Sequence, residues 1–585
     1  MSALAIAILA LLQIQAASLE GLVTKPGGGE PLPGARVTLL PAAAGPGAPI
    51  SVVSQDDGSF SLQNVAPGDY LLWAESVRYG IALYGQRRAG GPGSRVSVAA
   101  GQRLTGIRIS MVTTGAIAGR ITGRNGEPVV RALVQAFELR YREGKRILTP
   151  VKMASSDDLG EYRLFGLAPG KYFVAATVDE SPTVVYEGVM AHRDAVFQID
   201  RPENLANGFS VQHFQTGRVM SRILDDGSVQ EETWIPVYYP GTIEARLAAA
   251  VEVSAGATMN GIHLSISPSP VRKVSGKVIA PPGSLPAVIL TRESTVIGTK
   301  PGTSNSGGDV PFEFSGVSPG IYSVMARDPR TETTSASLRI EVGDRNLENL
   351  TLALVSGISL EGRVTVENSV ESVAGTNPLA GLDVSLHQGS GEDRAAIFQP
   401  QPSGSLVAKS LGPGTYFVRL IYDNALGGSP LASASPDAVD WPRSLPARYF
   451  VKSVRLGQTD VTDGISITES TQGPLQIVLS SAWGSLEGVV TDARRMPASG
   501  ATVVLVPTKV RRNSSLYRAT VADAAGKYRF PGIVPGDYLL FAWEDIETGA
   551  WQDPDFLRPV ESRGRPVEIR AGENPADSIT VIAKP

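Results

Sequence analysis

One string in this chain has the form of a hydrolase nucleophile elbow: Gly316-Val317-Ser318-Pro319-Gly320, a Gly-x-Ser-x-Gly in which a strand-to-helix turn would lift a serine hydroxyl toward a substrate carbonyl. Such a serine needs a base. The four histidines, His192, His213, His263 and His387, are scattered, with no His-x-x-Glu or His-Glu-x-x-His spacing that would supply one or hold zinc. His263 alternates with Ile262 and Leu264, which places it on the outer face of a strand. There is no cysteine, so thiolate nucleophiles, disulfides and cysteine-ligated metals are excluded. The acidic pairs Asp56-Asp57 and Asp157-Asp158 suggest a cation, but calcium takes roughly six to eight oxygens, and aspartates beside glycine are a turn device. No catalytic residue, metal ligand or cofactor is therefore expected.

The context of Ser318 explains why. It precedes one of five copies of Pro-Gly-x-Tyr, at Pro67–Tyr70, Pro169–Tyr172, Pro319–Tyr322, Pro413–Tyr416 and Pro535–Tyr538, and the other copies place Ala66, Ala168, Gly412 and Val534 where Ser318 stands. An apolar residue stands seven positions before each proline (Phe60, Tyr162, Phe312, Leu406, Tyr528) and another two before it (Val65, Leu167, Val317, Leu411, Ile533). Chance does not hold such offsets through five copies. The alternation of Phe60 and Leu62 with Ser59 and Ser61 is that of a half-buried strand. Pro-Gly suits the centre of a type II turn, so each copy is expected to be a β-hairpin whose second strand opens with the tyrosine.

Upstream of each copy lies a strand that opens with glycine between apolar residues, at Gly21, Gly119, Gly276, Gly362 and Gly488. A second strand follows, as in Ala35–Leu39 and Ala501–Leu505, and a closing strand, as in Ile107–Met111 and Leu350–Leu354. About seven short strands per unit make a β-sandwich. The expected fold is all-β: five tandem immunoglobulin-like or prealbumin-like sandwiches in an elongated string. The expected boundaries are a signal peptide at 1–17 and sandwiches at 18–112, 113–268, 271–355, 357–480 and 484–585. The second carries an insert at about 179–230, a length at which insertions carry function or disorder. The joints are short, which favours a semi-rigid string.

The Gly-x-Val opening strand, the Asp-x-x-Gly-x-Tyr turn and the Pro-Gly-x-Tyr segment together resemble the carboxypeptidase regulatory-like domain, one of the transthyretin-like and carbohydrate-binding-like sandwiches. Stretches such as Tyr238–Thr242 and Asp553–Pro559 resemble segments of bacterial multi-repeat exported proteins that carry it. The resemblance implies a non-catalytic accessory that binds or scaffolds, without naming a ligand.

The net charge of −4 leaves no footprint for nucleic acid, and the basic pairs Arg87-Arg88 and Arg511-Arg512 read as solvated loop charges. Residues 1–17 have an apolar core ending in small residues, a signal-peptide shape without a basic residue ahead of the core. Export to the periplasm, the cell surface or the medium follows as an expectation, with no transmembrane span after signal removal. If the tyrosine face of each strand after Pro-Gly is buried, Leu71 and Trp73 in unit one and Leu539, Phe541 and Trp543 in unit five face outward. Flat rings in a row stack on sugars. The candidate ligand-binding residues are therefore Trp73, Phe541 and Trp543, with Trp551 and Trp234 from loops, and the expected partner is a polysaccharide or a surface protein. The alternatives are an adhesive stalk in which these rings serve packing, and an accessory chain to an extracellular enzyme.

Overall fold

The computed structural model describes residues 16–41, 49–178, 220–223, 227–301, 309–328, 333–367, 379–388, 394–422 and 449–582, less 77, 92, 143, 283, 293, 294, 469, 472, 512 and 524. The expected signal peptide and most of the insert in unit two lie outside these residues.

Each unit is built from two sheets. In unit one the first sheet has the order Ser59–Val65, Ala17–Thr24, Arg103–Ser110. The second has Ile50–Val53, Arg36–Pro41, Gly68–Ser76, Gly80–Leu83, with Arg95–Val98 also on Gly68–Ser76. The same plan recurs around the opening strands Gly115–Thr122, Arg272–Ile279, Ile358–Val366 and Gly484–Thr491. Alternate residues point inward from both sheets, so Leu19, Val23, Val37, Leu39, Phe60, Leu62 and Leu72 form one closed core in unit one, and each later unit has its own. The all-β class and the tandem sandwiches are as the sequence predicts.

Two of the repeated sequence positions turn out to be cross-strand partners. Gly21 lies opposite Phe60, Gly119 opposite Tyr162, Gly276 opposite Phe312, Gly362 opposite Leu406 and Gly488 opposite Tyr528. On its other edge the opening strand runs parallel to the closing strand, in unit one with a register shift at the glycine. The room left there is small. A Cβ on Gly119 would stand 1.9 Å from the Ile262 carbonyl oxygen and 3.0 Å from the Tyr162 ring. Glycine is kept because the sheet neighbour and the aromatic ring together fill the space a side chain would need.

The Pro-Gly-x-Tyr segment is not a hairpin. Ser59–Val65 belongs to the first sheet of unit one and Gly68–Ser76 to the second, and the same separation holds in all five units. The chain crosses from one sheet to the other at this corner. The type II expectation fails with it, because Gly68, Gly320, Gly414 and Gly536 sit at φ of 153–157°, far from the +80° such a turn requires. The left-handed residue falls three positions before the proline instead, at Asn64 (φ 59°), Gly166 (74°), Gly316 (74°) and Gly532 (65°), where the strand bulges. The tyrosine then tucks between the sheets and donates its hydroxyl to the carbonyl four residues back. The bonds are Tyr70 to Ala66 at 2.7 Å, Tyr172 to Ala168 at 2.6 Å, and Tyr322 to Ser318, Tyr416 to Gly412 and Tyr538 to Val534 at 2.8 Å. Burial pushes the Tyr538 phenol up to about 12, which keeps it a neutral donor.

The joints are stiffened by pairing. Ser269–Pro270, between units two and three, pairs with Val229–Thr233, the strand by which the chain returns from the insert. Val355–Ser356, after unit three, pairs with Thr333–Thr334. The chain nevertheless departs from a simply extended string, because unit five touches units one and two, as described below.

The corner account assigns distinct costs to two substitutions. Gly119→Val is expected to destabilise unit two by about 3 kcal/mol through overpacking, and Tyr172→Phe by about 1–2 kcal/mol through the lost hydroxyl bond. Denaturant melts of the full chain followed by proteolysis specific to unit two check the order and the sizes.

Candidate interaction surface

Ser318 is a corner residue. Its carbonyl accepts the Tyr322 hydroxyl, its own hydroxyl lies 2.9 Å from that phenol oxygen, and the Arg292 guanidinium donates to it at 3.4 Å. Among the described residues, no histidine or carboxylate is hydrogen-bonded to it. Asp57 and Asp157 are spent on their own turns: Asp57 Oδ1 accepts the Ser59 N–H, and Asp157 Oδ1 accepts those of Leu159 and Glu161. Bonds from Ser59 hold the Asp57 carboxyl below the usual carboxylate range. Among the described residues, no three His, Asp or Glu side chains converge as metal ligands. His263 is exposed, and its Nδ1 accepts the Arg120 N–H at 3.1 Å.

The aromatic row divides. In unit one the expected alternation holds, with Tyr70, Leu72 and Ala74 buried and Leu71 and Trp73 half-buried, Trp73 lying opposite Thr38 and Leu83. In unit five both faces of Gly536–Trp543 are covered. Phe541 is 1% exposed and Trp543 0%. Their rings stack at 5.1 Å and 10°, and Phe556 meets Trp543 at 6.1 Å. The cover is the chain that follows: the 3₁₀ turn Ala550–Gln552, the short helix Pro554–Leu557 and the turn Glu561–Arg563. Trp551, Leu557 and Val560 from this segment join Val504, Val506, Phe541 and Trp543 in a second core, outside the one between the sheets. Trp551 is thus a core residue, not a loop ligand, and Trp234 packs half-buried against the core of unit two. The structure does not bring the five predicted rings together on one surface.

A signal for this cover was present in the sequence. Asp553-Pro554-Asp555 is an N-cap, a proline at the first helical position and an acidic first turn, and Asp553 Oδ1 accepts the Asp555 N–H at 2.9 Å. The apolar residues flanking that start are the ones that seal the outer sheet.

Sequence reading also missed the contact surface of unit five. The hairpin of Leu133–Arg142 and Lys145–Ser155 in unit two reaches it with its tip. Tyr141 packs against the second core, and Arg146, its guanidinium 4.9 Å from the Tyr141 ring centre, pairs with Glu547 at 2.8 Å. The backbones meet closely: a Cβ on Gly144 would stand 2.4 Å from the Gln552 carbonyl oxygen, and one on Gly549 2.9 Å from the Tyr141 Cβ. From unit one, Arg88 pairs with Asp545 at 2.7 Å and Arg87 donates to the Ser499 carbonyl. Arg511, within unit five, pairs with Glu561 at 2.5 Å. Arg87, Arg88 and Arg511 are therefore contact residues, where the sequence suggested solvated charges; doublets of this kind acquire partners only when distant parts of the chain meet.

Residues 18–112 match the family model described as the carboxypeptidase regulatory-like domain. The first unit is similar to that domain. Units two to five carry the same glycine pairing and tyrosine corner as the first unit. No curated protein matches the chain. Solved structures similar to it include a minor pilin of Streptococcus agalactiae, at 12% identity over 44% of this chain and 97% of that one, with a TM-score of 0.20. Two B repeat units of the collagen binding protein of Staphylococcus aureus match at 12% identity over 80% and 100%, with a TM-score of 0.13. The major pilin subunit of Bacillus cereus matches at 8% identity over 58% and 99%, also at 0.13.

If the outer rings of unit five are core, Trp543→Ala is expected to destabilise that unit by about 3–5 kcal/mol. A thermal melt of the variant, with tryptophan emission shifted to longer wavelength, checks this; an exposed ring would leave the melting profile unchanged.

Proposed function

We propose that the chain is an exported, non-catalytic scaffold at the cell surface, in which tandem carboxypeptidase regulatory-like sandwiches space and dock other proteins. The observation that carries this reading is the burial of Phe541 and Trp543 beneath the segment that follows them. Rings used as internal cover support a packing role, and they remove two of the three members of the supposed sugar platform. Paired joints support a spacer that keeps its units oriented. The corner bonds around Ser318 and the turn bonds of Asp57 and Asp157 support a structural use for the groups that otherwise suggest chemistry.

Affinity electrophoresis through a panel of soluble polysaccharides tests the reading against sugar binding. The chain is expected to migrate without retardation in each gel; retardation abolished by Trp73→Ala would establish sugar binding through unit one. Protease treatment of intact source cells, followed by immunodetection, tests location: loss of the protein is expected, and full protection places it inside the cell.

A further inference from the structure

The contacts between unit five and the first two units share one polarity. Among the described residues, Arg87, Arg88 and Arg146 supply the charged donors, and unit five supplies the acceptors: Asp545, Glu547 and the Ser499 carbonyl. They are joined across 401 to 457 residues of sequence, so units three and four span the return. Neither ion pair is sealed from water. The side chains of Arg88 and Asp545 are 43% and 51% exposed, and those of Arg146 and Glu547 53% and 30%. Pairs this exposed are individually weak and are screened by salt. The partners are held in one chain, however, and tethering gives them an effective concentration that free molecules lack. The apolar part of the contact is centred on the partly buried Tyr141 ring.

We propose that unit five is a salt-sensitive latch that closes the chain onto units one and two. Closed, the scaffold is a loop, with Arg88 and Arg146 on the acidic rim of unit five. Opened, it becomes an extended string that exposes a basic strip on units one and two and an acidic rim on unit five. Its length is then set by a few exposed ion pairs, whereas the sandwiches themselves, held by apolar cores, are unaffected by the same change in salt.

Small-angle X-ray scattering of the full chain, with light scattering on the same samples, reads the latch. Raising the salt from about 0.1 M to about 1 M shortens the screening length from about 10 Å to about 3 Å. A monomer whose radius of gyration and maximum dimension rise over that range, with an unchanged circular dichroism spectrum, is the expected result. Arg88→Glu with Arg146→Glu should produce the extended form already at low salt, and adding Asp545→Arg with Glu547→Arg should restore the compact one. Identical dimensions for the wild type at both salts and for the double variant overturn the latch. Compaction that occurs only alongside dimer formation also overturns it, since the contacts would then be made between copies.

Discussion

The hydroxyl bond from each repeated tyrosine to the carbonyl four residues back is the constraint on which the architecture rests. It closes the corner where the chain leaves one sheet for the other, and it is made in all five units at 2.6–2.8 Å. A sandwich needs such a fixed crossing because its two inner faces must meet in one register: a slip of one residue would turn every inward side chain toward solvent. In units one, two, three and five a left-handed residue before the corner sets the bend, and in every unit the tyrosine ring fills the corner and its hydroxyl satisfies the carbonyl four residues back. The opening-strand glycine is the complement of this arrangement, lying opposite the large apolar side chain carried by the strand that leads into the corner, a ring in four units and Leu406 in unit four.

Unit five shows what happens when a second layer is added to the same plan. Its outer sheet face carries Val504, Val506, Phe541 and Trp543, and the segment from Ala550 to Arg563 folds down over them. The result is a domain buried on both faces of one sheet, rigid enough to offer a rim to the tip of a hairpin from unit two. Aromatic content that reads as a binding surface is here the means of attaching a short cap, and the cap in turn makes the contact surface.

Much of this was legible in the sequence, and the limits have physical causes. Five units, their cores and the inward tyrosines follow from period-two alternation and fixed offsets, which depend on local geometry alone. A corner and a hairpin both place two alternating strands on either side of a Pro-Gly; the difference lies in which strands they pair with, and the pairing partners stand 39 residues away, as in Gly21 opposite Phe60 and Arg36 opposite Glu75. The burial of Phe541 and Trp543 was missed because alternation predicts one wet face, and only the helix signal at Asp553-Pro554 hinted that another element would cover it. The pairing of Arg88 with Asp545 carried no local signal at all.

Hydrogen exchange read by mass spectrometry across the whole chain tests the central claim, that one corner interaction organises all five units. Peptides spanning the five corners, from the strand before each proline through the tyrosine strand, are expected to be protected to a similar degree in every unit, because the same bonded corner joins two sheets each time. If one or more of these peptides exchanged as fast as the surface turns, the corner would not be the common constraint, and the account built on it would fail.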